Sequence, residues 1–245
     1  MTPTRLAVCG DDLPAVFAAT KRAGLQVVRS APEVVLCHGG DGTLLRAQRE
    51  WPDVPKLPAR VGSRARLCAD HGLDAVLAGL TRGTLAAGEL PLLSCRVGEL
   101  HVTALNDVVL RNESPATALR ITVRAAGRET GEITGDGIVC ATPFGSTGYF
   151  RSIARRSFDE GFGLAFSNST DALEPLLLPR GETVEIVVLR GPAELVRDND
   201  PRSLNLREGS RVRLSLSDRH AVVLGLDALS CQRCRRADGS AFNPH

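Results

Sequence analysis

The hydrophobic period of this chain changes near residue 92, and that change restricts it to folds with two differently built halves. Before the change, apolar stretches of strand and helix length alternate. Residues 6–9 read as a short strand and residues 13–23 as a helix ended by Gly24. Residues 34–38 read as a buried strand, followed by a glycine turn and a helix from Thr43 to about Glu50. Pro52, Pro55 and Pro58 then interrupt regular structure. A further helix spans about residues 73–80, with Asp70 or His71 near its start. Such alternation predicts a mainly parallel sheet covered by helices.

After residue 92 the period is two. Residues 103–111, 120–125, 132–141, 183–189, 193–197, 211–216 and 221–224 all read as strands. Clusters such as Asp198-Asn199-Asp200-Pro201 and Arg207-Glu208-Gly209 separate them. The expected architecture is an α/β N-terminal domain with a mainly parallel sheet over residues 1–95. A β-rich, two-sheet, sandwich-like C-terminal domain follows over residues 96–225. Residues 226–245 are too weakly patterned to place.

Charge and composition exclude several classes of function. The formal net charge is only +2 and the arginines are scattered along the chain, so no nucleic-acid partner is expected. Lysine occurs only at Lys21 and Lys56. The first residues lack the pattern of a secretory signal, and no apolar run approaches the roughly 18 residues of a membrane span. A cytoplasmic protein without a membrane partner is expected. Cys231 and Cys234 form a C-x-x-C pair, but structural zinc needs two more ligands and Arg235 and Arg236 supply none. No metal-ligating set is assigned.

Three segments carry the chemistry. His38-Gly39-Gly40-Asp41-Gly42-Thr43 follows the buried strand and opens a helix. Glycines let a backbone approach a ligand closely, and amides at a helix start favour an anion. Gly39, Gly40, Gly42 and Thr43 are therefore the candidate phosphate-donor residues. No Gly-Lys-Ser/Thr follows, so this is not a Walker A loop. Asp41 is the informative residue, because a carboxylate among phosphate-binding amides is awkward unless magnesium or a substrate hydroxyl engages it. The second segment, Ala104-Leu105-Asn106-Asp107-Val108-Val109-Leu110, places two polar side chains in an apolar run; alone, it reads as an edge strand or bulge. The third runs from Gly135-Asp136-Gly137 through Thr142-Pro143-Phe144-Gly145-Ser146-Thr147-Gly148-Tyr149. It reads as a strand entering a turn crowded with hydroxyls and one aromatic ring, suited to a base or ribose.

In this order the three segments resemble those of the NAD kinases, which carry GGDGT, an Asn-Glu/Asp pair and a D-G-x-x-x-x-T-P-T-G-S-T-A-Y stretch. The resemblance implies the two-domain fold just described and phosphorylation of the adenosine 2′-hydroxyl of NAD, with ATP or polyphosphate as donor. By the same resemblance Asp41 is the general base. Gly42, Asn106, Asp107, Asp136, Thr147, Gly148, Tyr149 and Ser152 fall where the family binds NAD. Magnesium accompanies ATP, and a homo-oligomer is expected.

The chain departs from the pattern at four places. Residues 57–64 keep one glycine where the family has G-x-N-x-G-x-L-G-F-L. Phe144 occupies a position that is usually small or threonine, and Gly148 replaces the usual alanine. The glycine-rich continuation after the tyrosine is replaced by Phe150-Arg151-Ser152-Ile153-Ala154-Arg155-Arg156. Arg151, Arg155 and Arg156 suit donor phosphates, but against an arginine-rich background a solvated face is the plainer reading. Two other functions compete: a related kinase with another nucleotide or a lipid as acceptor, and a catalytically silent NAD-binding sensor.

Overall fold

The structure is a computed structural model describing residues 3–60 and 72–226. Expectations for residues 61–64, Asp70, His71, Cys231 and Cys234 lie outside the described residues. The chain divides into two compact units. One runs to Leu90 and is rejoined from Ala221 onward; the other is Pro91–His220.

The first unit contains β1 (Arg5–Gly10), α1 (Leu13–Arg22), β2 (Gln26–Val27), β3 (Val34–Gly39), α2 (Asp41–Glu50), β4 (Lys56–Arg60) and α3 (Leu73–Arg82). β1 pairs in parallel with β2 and β3, and β3 pairs in parallel with β4. All of β3 is buried, as expected for an uninterrupted apolar strand within a covered parallel sheet. Leu6, Leu36 and Leu57 from the strands meet Val16 of α1 and Val76, Leu77 and Leu80 of α3 in one core. Proline near the start of α1 and Lys21 and Arg22 in its last turn mark its limits; α3 stops at Gly83, which adopts the left-handed conformation.

Two details of this unit differ from expectation. Helix α2 begins at Asp41 rather than Thr43, so the aspartate belongs to the helix's first turn. Pro58 lies inside β4, in register with Cys37, instead of interrupting structure. The pairing of β4 with the chain's last strand reaches only Lys56, so the missing proline N–H falls beyond that ladder.

Strand β5 (Ala87–Val97) carries the chain into the second unit. There follow β6 (Leu100–Ala104), β7 (Asp107–Asn112), β8 (Leu119–Ala125), β9 (Arg128–Glu129), β10 (Ile133–Gly135) and β11 (Gly137–Ala141). Next come α4 (Tyr149–Ala154), β12 (Phe162–Ser167), β13 (Leu176–Leu178), β14 (Thr183–Arg190), β15 (Ala193–Arg197), β16 (Leu204–Leu206) and β17 (Arg211–Leu224). One antiparallel sheet has the order β13-β12-β11-β7-β15-β16. The other side of the unit is built from β10, β8 and β14, with β17 pairing β14. Leu110, Ile138 and Leu195 from the first group pack with Ile121, Ile186 and Leu214 from the second in a shared core. Two sheets whose inner faces interdigitate in this way make a sandwich.

The stretches 103–111 and 132–141, read as single strands, are each broken in two. β6 and β10 lie on one side of the sandwich, β7 and β11 on the other. The breaks fall at Leu105-Asn106 and at Asp136, so both expected nucleotide-binding acids stand beside a corner where the chain changes sheet. Gly137 makes the second corner possible. At its φ of 153°, an added Cβ would stand 2.0 Å from the carbonyl oxygen of Leu110. Conversely, residues 211–216 and 221–224 form one strand, because Asp218-Arg219-His220 continue the extended backbone. Strands β2, β5, β9, β12, β13 and β16 have no counterpart in the sequence reading.

Candidate active site

In the first unit, the turn after β3 presents Gly39 and Gly40 and then the first turn of α2. The carbonyl of Gly40 accepts the amides of Thr43 and Leu44 at 3.0 and 3.4 Å. Asp41 and Gly42 are exposed on this first turn. Gly39 is needed by the fold, since an added Cβ would meet the Thr43 hydroxyl at 2.4 Å. Gly10 is needed too, with the His38 carbonyl oxygen 1.9 Å from its Cβ position. Gly40 and Gly42 are different. Among the described residues, nothing lies within 4 Å of a Cβ added at either. Their bareness leaves an open face over the helix start, where amides and the helix dipole favour an anion.

His38 is accounted for by its surroundings. It is buried, its Nδ1 is 2.7 Å from the carbonyl oxygen of Asp11, and its own carbonyl accepts the Asp11 amide at 3.0 Å. Below the turn, the Arg46 Nε donates to the Cys9 Sγ at 3.0 Å. Burial is the main reason that thiol is raised above its ordinary range, and Arg46 works against it.

In the second unit, the corner at residues 105–107 is held from two sides. The carboxylate of Asp198 accepts the amides of Leu105 (2.7 Å), Asn106 (2.6 Å) and Asp107 (3.3 Å). On the other side, the Thr142 hydroxyl donates to the carbonyl of Leu105 at 2.6 Å, and the Thr142 amide donates to that of Asn106 at 3.0 Å. The Gly145 amide in turn donates to the Thr142 hydroxyl at 3.1 Å. Gly145 sits so close that an added Cβ would be 1.9 Å from the Asn106 carbonyl oxygen. The second and third segments of the sequence are thus a single assembly.

Within it, the half-buried Asn106 donates its Nδ2 to the Asp107 Oδ2 at 2.8 Å. Asp107 is buried, and its carboxyl is pushed up to about 7. Burial is the largest cause, the negative charge of Asp198 the next, and the Asn106 amide opposes both. Gly148 borders the same place: an added Cβ would lie 3.7 Å from the Asn106 Nδ2.

The hydroxyls of the third segment turn back to the protein. Ser146 is buried, donates to the carbonyl of Pro143 at 2.8 Å, and accepts the Phe158 amide at 3.2 Å. It braces the turn rather than opening a site. The exposed Thr147 and Ser152 hydroxyls donate to the carbonyls of Phe144 (3.3 Å) and Tyr149 (2.7 Å). Phe150 is buried edge-to-face against Phe158, with ring centroids 5.1 Å apart, and so fixes α4. Arg151, Arg155 and Arg156 are exposed; Arg155 ends α4 in the left-handed conformation, and Arg156 donates to the Pro175 carbonyl at 2.9 Å.

Asp136 and Tyr149 meet elsewhere in this unit, around a cavity of about 290 Å3 also lined by Val109, Asn112, Val139 and Asn168. The Asn168 Nδ2 donates to the Asp136 Oδ2 at 2.6 Å. Sequence reasoning missed Asp198, Thr142 and Asn168. Thr142 was within a recognised segment and Asp198 within a recognised turn cluster, but nothing in the sequence marked Asn168.

The ATP-NAD kinase C-terminal domain family matches residues 105–226. An NAD kinase of Gemmatimonas aurantiaca is 30% identical over 188 residues, covering 71% of this chain. The chain spans 65% of that relative's length. An NAD kinase of Sulfurisphaera tokodaii is 27% identical over 212 residues, covering 82% of this chain and 84% of the relative. Among solved structures, an NAD kinase from Archaeoglobus fulgidus in complex with ATP superposes with a TM-score of 0.76 at 20% identity, covering 96% of this chain and 99% of that one. Yeast NADH kinase complexed with NADH gives a TM-score of 0.81 at 14% identity, covering 100% of this chain and 90% of that one. At such identities these two likenesses bear on the fold, and the sequence relatives bear on the family. The chain belongs to the NAD kinase family, as a divergent member.

Proposed function

We propose that this chain transfers a phosphoryl group from ATP or polyphosphate to the adenosine 2′-hydroxyl of NAD, giving NADP. The observation that carries this reading is the turn after β3. It keeps Gly40 and Gly42 bare where the described residues do not require it, and sets the exposed Asp41 between them. A turn of that kind suits a phosphate chain lying on the backbone beside a carboxylate.

In this reading Asp41 takes the proton of the 2′-hydroxyl. The ribose oxygen then attacks the terminal phosphorus, and the bond from that phosphorus to the departing phosphate breaks, its electron pair leaving with that product. A ribose hydroxyl is a weak nucleophile, so a positioned base and in-line geometry are the protein's main contributions. Asn106, Asp107, Gly148 and Thr147 hold the nucleoside, with Asp136, Tyr149 and Ser152 serving the same dinucleotide.

Magnesium belongs to the reaction as a companion of the donor. Among the described residues, no three His, Cys, Asp or Glu side chains converge as a metal site. An exposed carboxylate such as Asp41 fits an ion that arrives mostly ligated by phosphates and water. The bound ion supplies charge neutralisation at the transferring phosphoryl group. The same reading takes the protein as a cytoplasmic homo-oligomer. Free thiols at Cys9, Cys37, Cys95 and Cys140 support a reducing compartment, and among the described residues no helix is long and apolar enough to cross a membrane.

The test is NADP formation from NAD and magnesium, with ATP and polyphosphate offered in parallel and Asp41→Asn as control. The expected outcome is magnesium-dependent NADP, with turnover in the control down by about 10²–10⁴, or roughly 3–5 kcal/mol of barrier. Near-parental turnover in the control would remove Asp41 from the mechanism. Saturable NAD binding with no product from either donor would point to the sensor reading.

A further inference from the structure

The cluster least explained by the reaction is the one around Asp198. This residue lies in the turn after β15, at a φ of 46°, and is only 1% exposed. A buried carboxylate beside a second one, Asp107, is costly unless something specific holds it. What holds it is the corner between β6 and β7. Three consecutive main-chain amides, those of Leu105, Asn106 and Asp107, converge on the two Asp198 oxygens at 2.6–3.3 Å. The Asp198 amide donates back to the Asp107 carbonyl at 3.1 Å. Hydrogen bonds to an ionised acceptor are the strong kind, and three from successive residues leave the corner little rotational freedom.

The direction of that constraint matters. With the amides of residues 105–107 drawn to Asp198 and the carbonyls of Leu105 and Asn106 held by Thr142, the peptide planes on both sides of Asn106 are fixed. The Asn106 side chain is then placed to donate to Asp107 and to border Gly148. We propose that Asp198 is a positioning residue of the nucleotide site: its carboxylate gathers the three amides and so fixes how Asn106 and Asp107 face the NAD. The inference rests on the NAD kinase reading given above.

Asp198→Asn is the direct test. Asparagine tolerates the left-handed backbone, so the substitution removes one acceptor oxygen and the charge with little backbone penalty. In the full-length protein, we expect the KM for NAD to rise about tenfold or more, the scale of a lost charge-assisted bond. We expect kcat and the KM for ATP to stay within about threefold, and amide exchange at residues 105–107 of the ligand-free protein to accelerate. The pH profile supplies another signature. Among the described residues, the titratable groups facing Asp107 are Asp198 and, on β11, Cys140. Losing the Asp198 charge should move the Asp107 ionisation, read from the pH profile of NAD binding, to lower pH, because that charge helps to raise Asp107.

Should Asp198→Asn fail to fold, Asp198→Gly takes its place, since glycine also suits this backbone and leaves room for water to reach the amides. An unchanged KM for NAD in a folded variant would overturn the proposal. So would unchanged exchange at residues 105–107, or parallel losses in kcat and both KM values that track a lower Tm. A wild-type protein that binds no NAD would instead sink the functional reading on which the inference rests.

Discussion

The turn after β3 and the turn after β11 both follow strands buried along their whole length, and both carry glycines, yet those glycines answer to different constraints. At Gly40 and Gly42 the described residues leave open space around an added Cβ. At Gly145, an added Cβ runs into the backbone of Asn106 at 1.9 Å. The first turn is bare toward solvent, with an exposed aspartate on it. The second is packed onto a corner held by Thr142 and Asp198. A phosphate chain varies in conformation and is well served by an open row of amides. Recognition of a nucleoside needs side chains held in one direction, and hence a braced corner.

The comparison breaks first at Gly145. Gly145→Ala should cost about 3 kcal/mol or more, because backbone cannot move aside as a side chain would. Gly42→Ala, in the first turn of α2, should leave stability unchanged or raise it by up to about 1 kcal/mol, as alanine favours a helix. Urea unfolding of the two variants measures the contrast. Equal stability would mean that the second corner is not braced as described. Gly42→Ala should also raise the KM of whichever substrate approaches that backbone. Unchanged KM values for both NAD and ATP would mean that the open space is not used.

A smaller effect separates the two turns by pH. Burial, and then the Asp198 charge, hold the Asp107 carboxyl up to about 7, against an ordinary value of 3.8. The folded state therefore keeps this proton when the unfolded chain has already lost it. Between about pH 4 and pH 7, stability should fall as pH rises, by on the order of 2–4 kcal/mol for this group alone. Asp107→Asn should flatten that slope. A variant with the parental slope in denaturant unfolding across this range would assign the ionisation to another group.

Much of this was legible in the sequence. The parallel βα unit with GGDG at its turn follows from one apolar run, a pair of glycines and a helical pattern, all local. The sandwich strands follow from their period of two. The corners were not legible, because an Asn or Asp in an apolar run looks the same whether the strand continues or changes sheet. What turns the chain at residue 106 is a carboxylate 92 positions away in sequence, at Asp198, and in the sequence that residue shows only as part of an Asp-Asn-Asp-Pro turn. Ser146 misled in the other direction: a hydroxyl crowded among small residues suggested access to a ligand, whereas it is buried and pins the loop at Phe158. Local pattern reports elements well and reports long-range hydrogen bonds hardly at all.

The mildest change sharpens the comparison from inside the braced corner. Gly148 stands where the family usually has alanine, and its backbone has φ −95° and ψ −123°. A Cβ there would lie 3.4 Å from the Gly145 carbonyl oxygen and 3.7 Å from the Asn106 Nδ2, which is ordinary contact. With room for the methyl group, Gly148→Ala should fold, with a stability within about 1 kcal/mol of the parent. Because the methyl group would pack against the Asn106 amide without displacing it, the KM for NAD should change by no more than about threefold, or roughly 0.7 kcal/mol. A larger rise would show that this chain uses the missing methyl group as room for its substrate, and that the corner is shaped to a different ligand contour from the one the family's alanine leaves. An unchanged or lower KM would show that Asn106 is held by its own hydrogen bonds, whatever stands beside it.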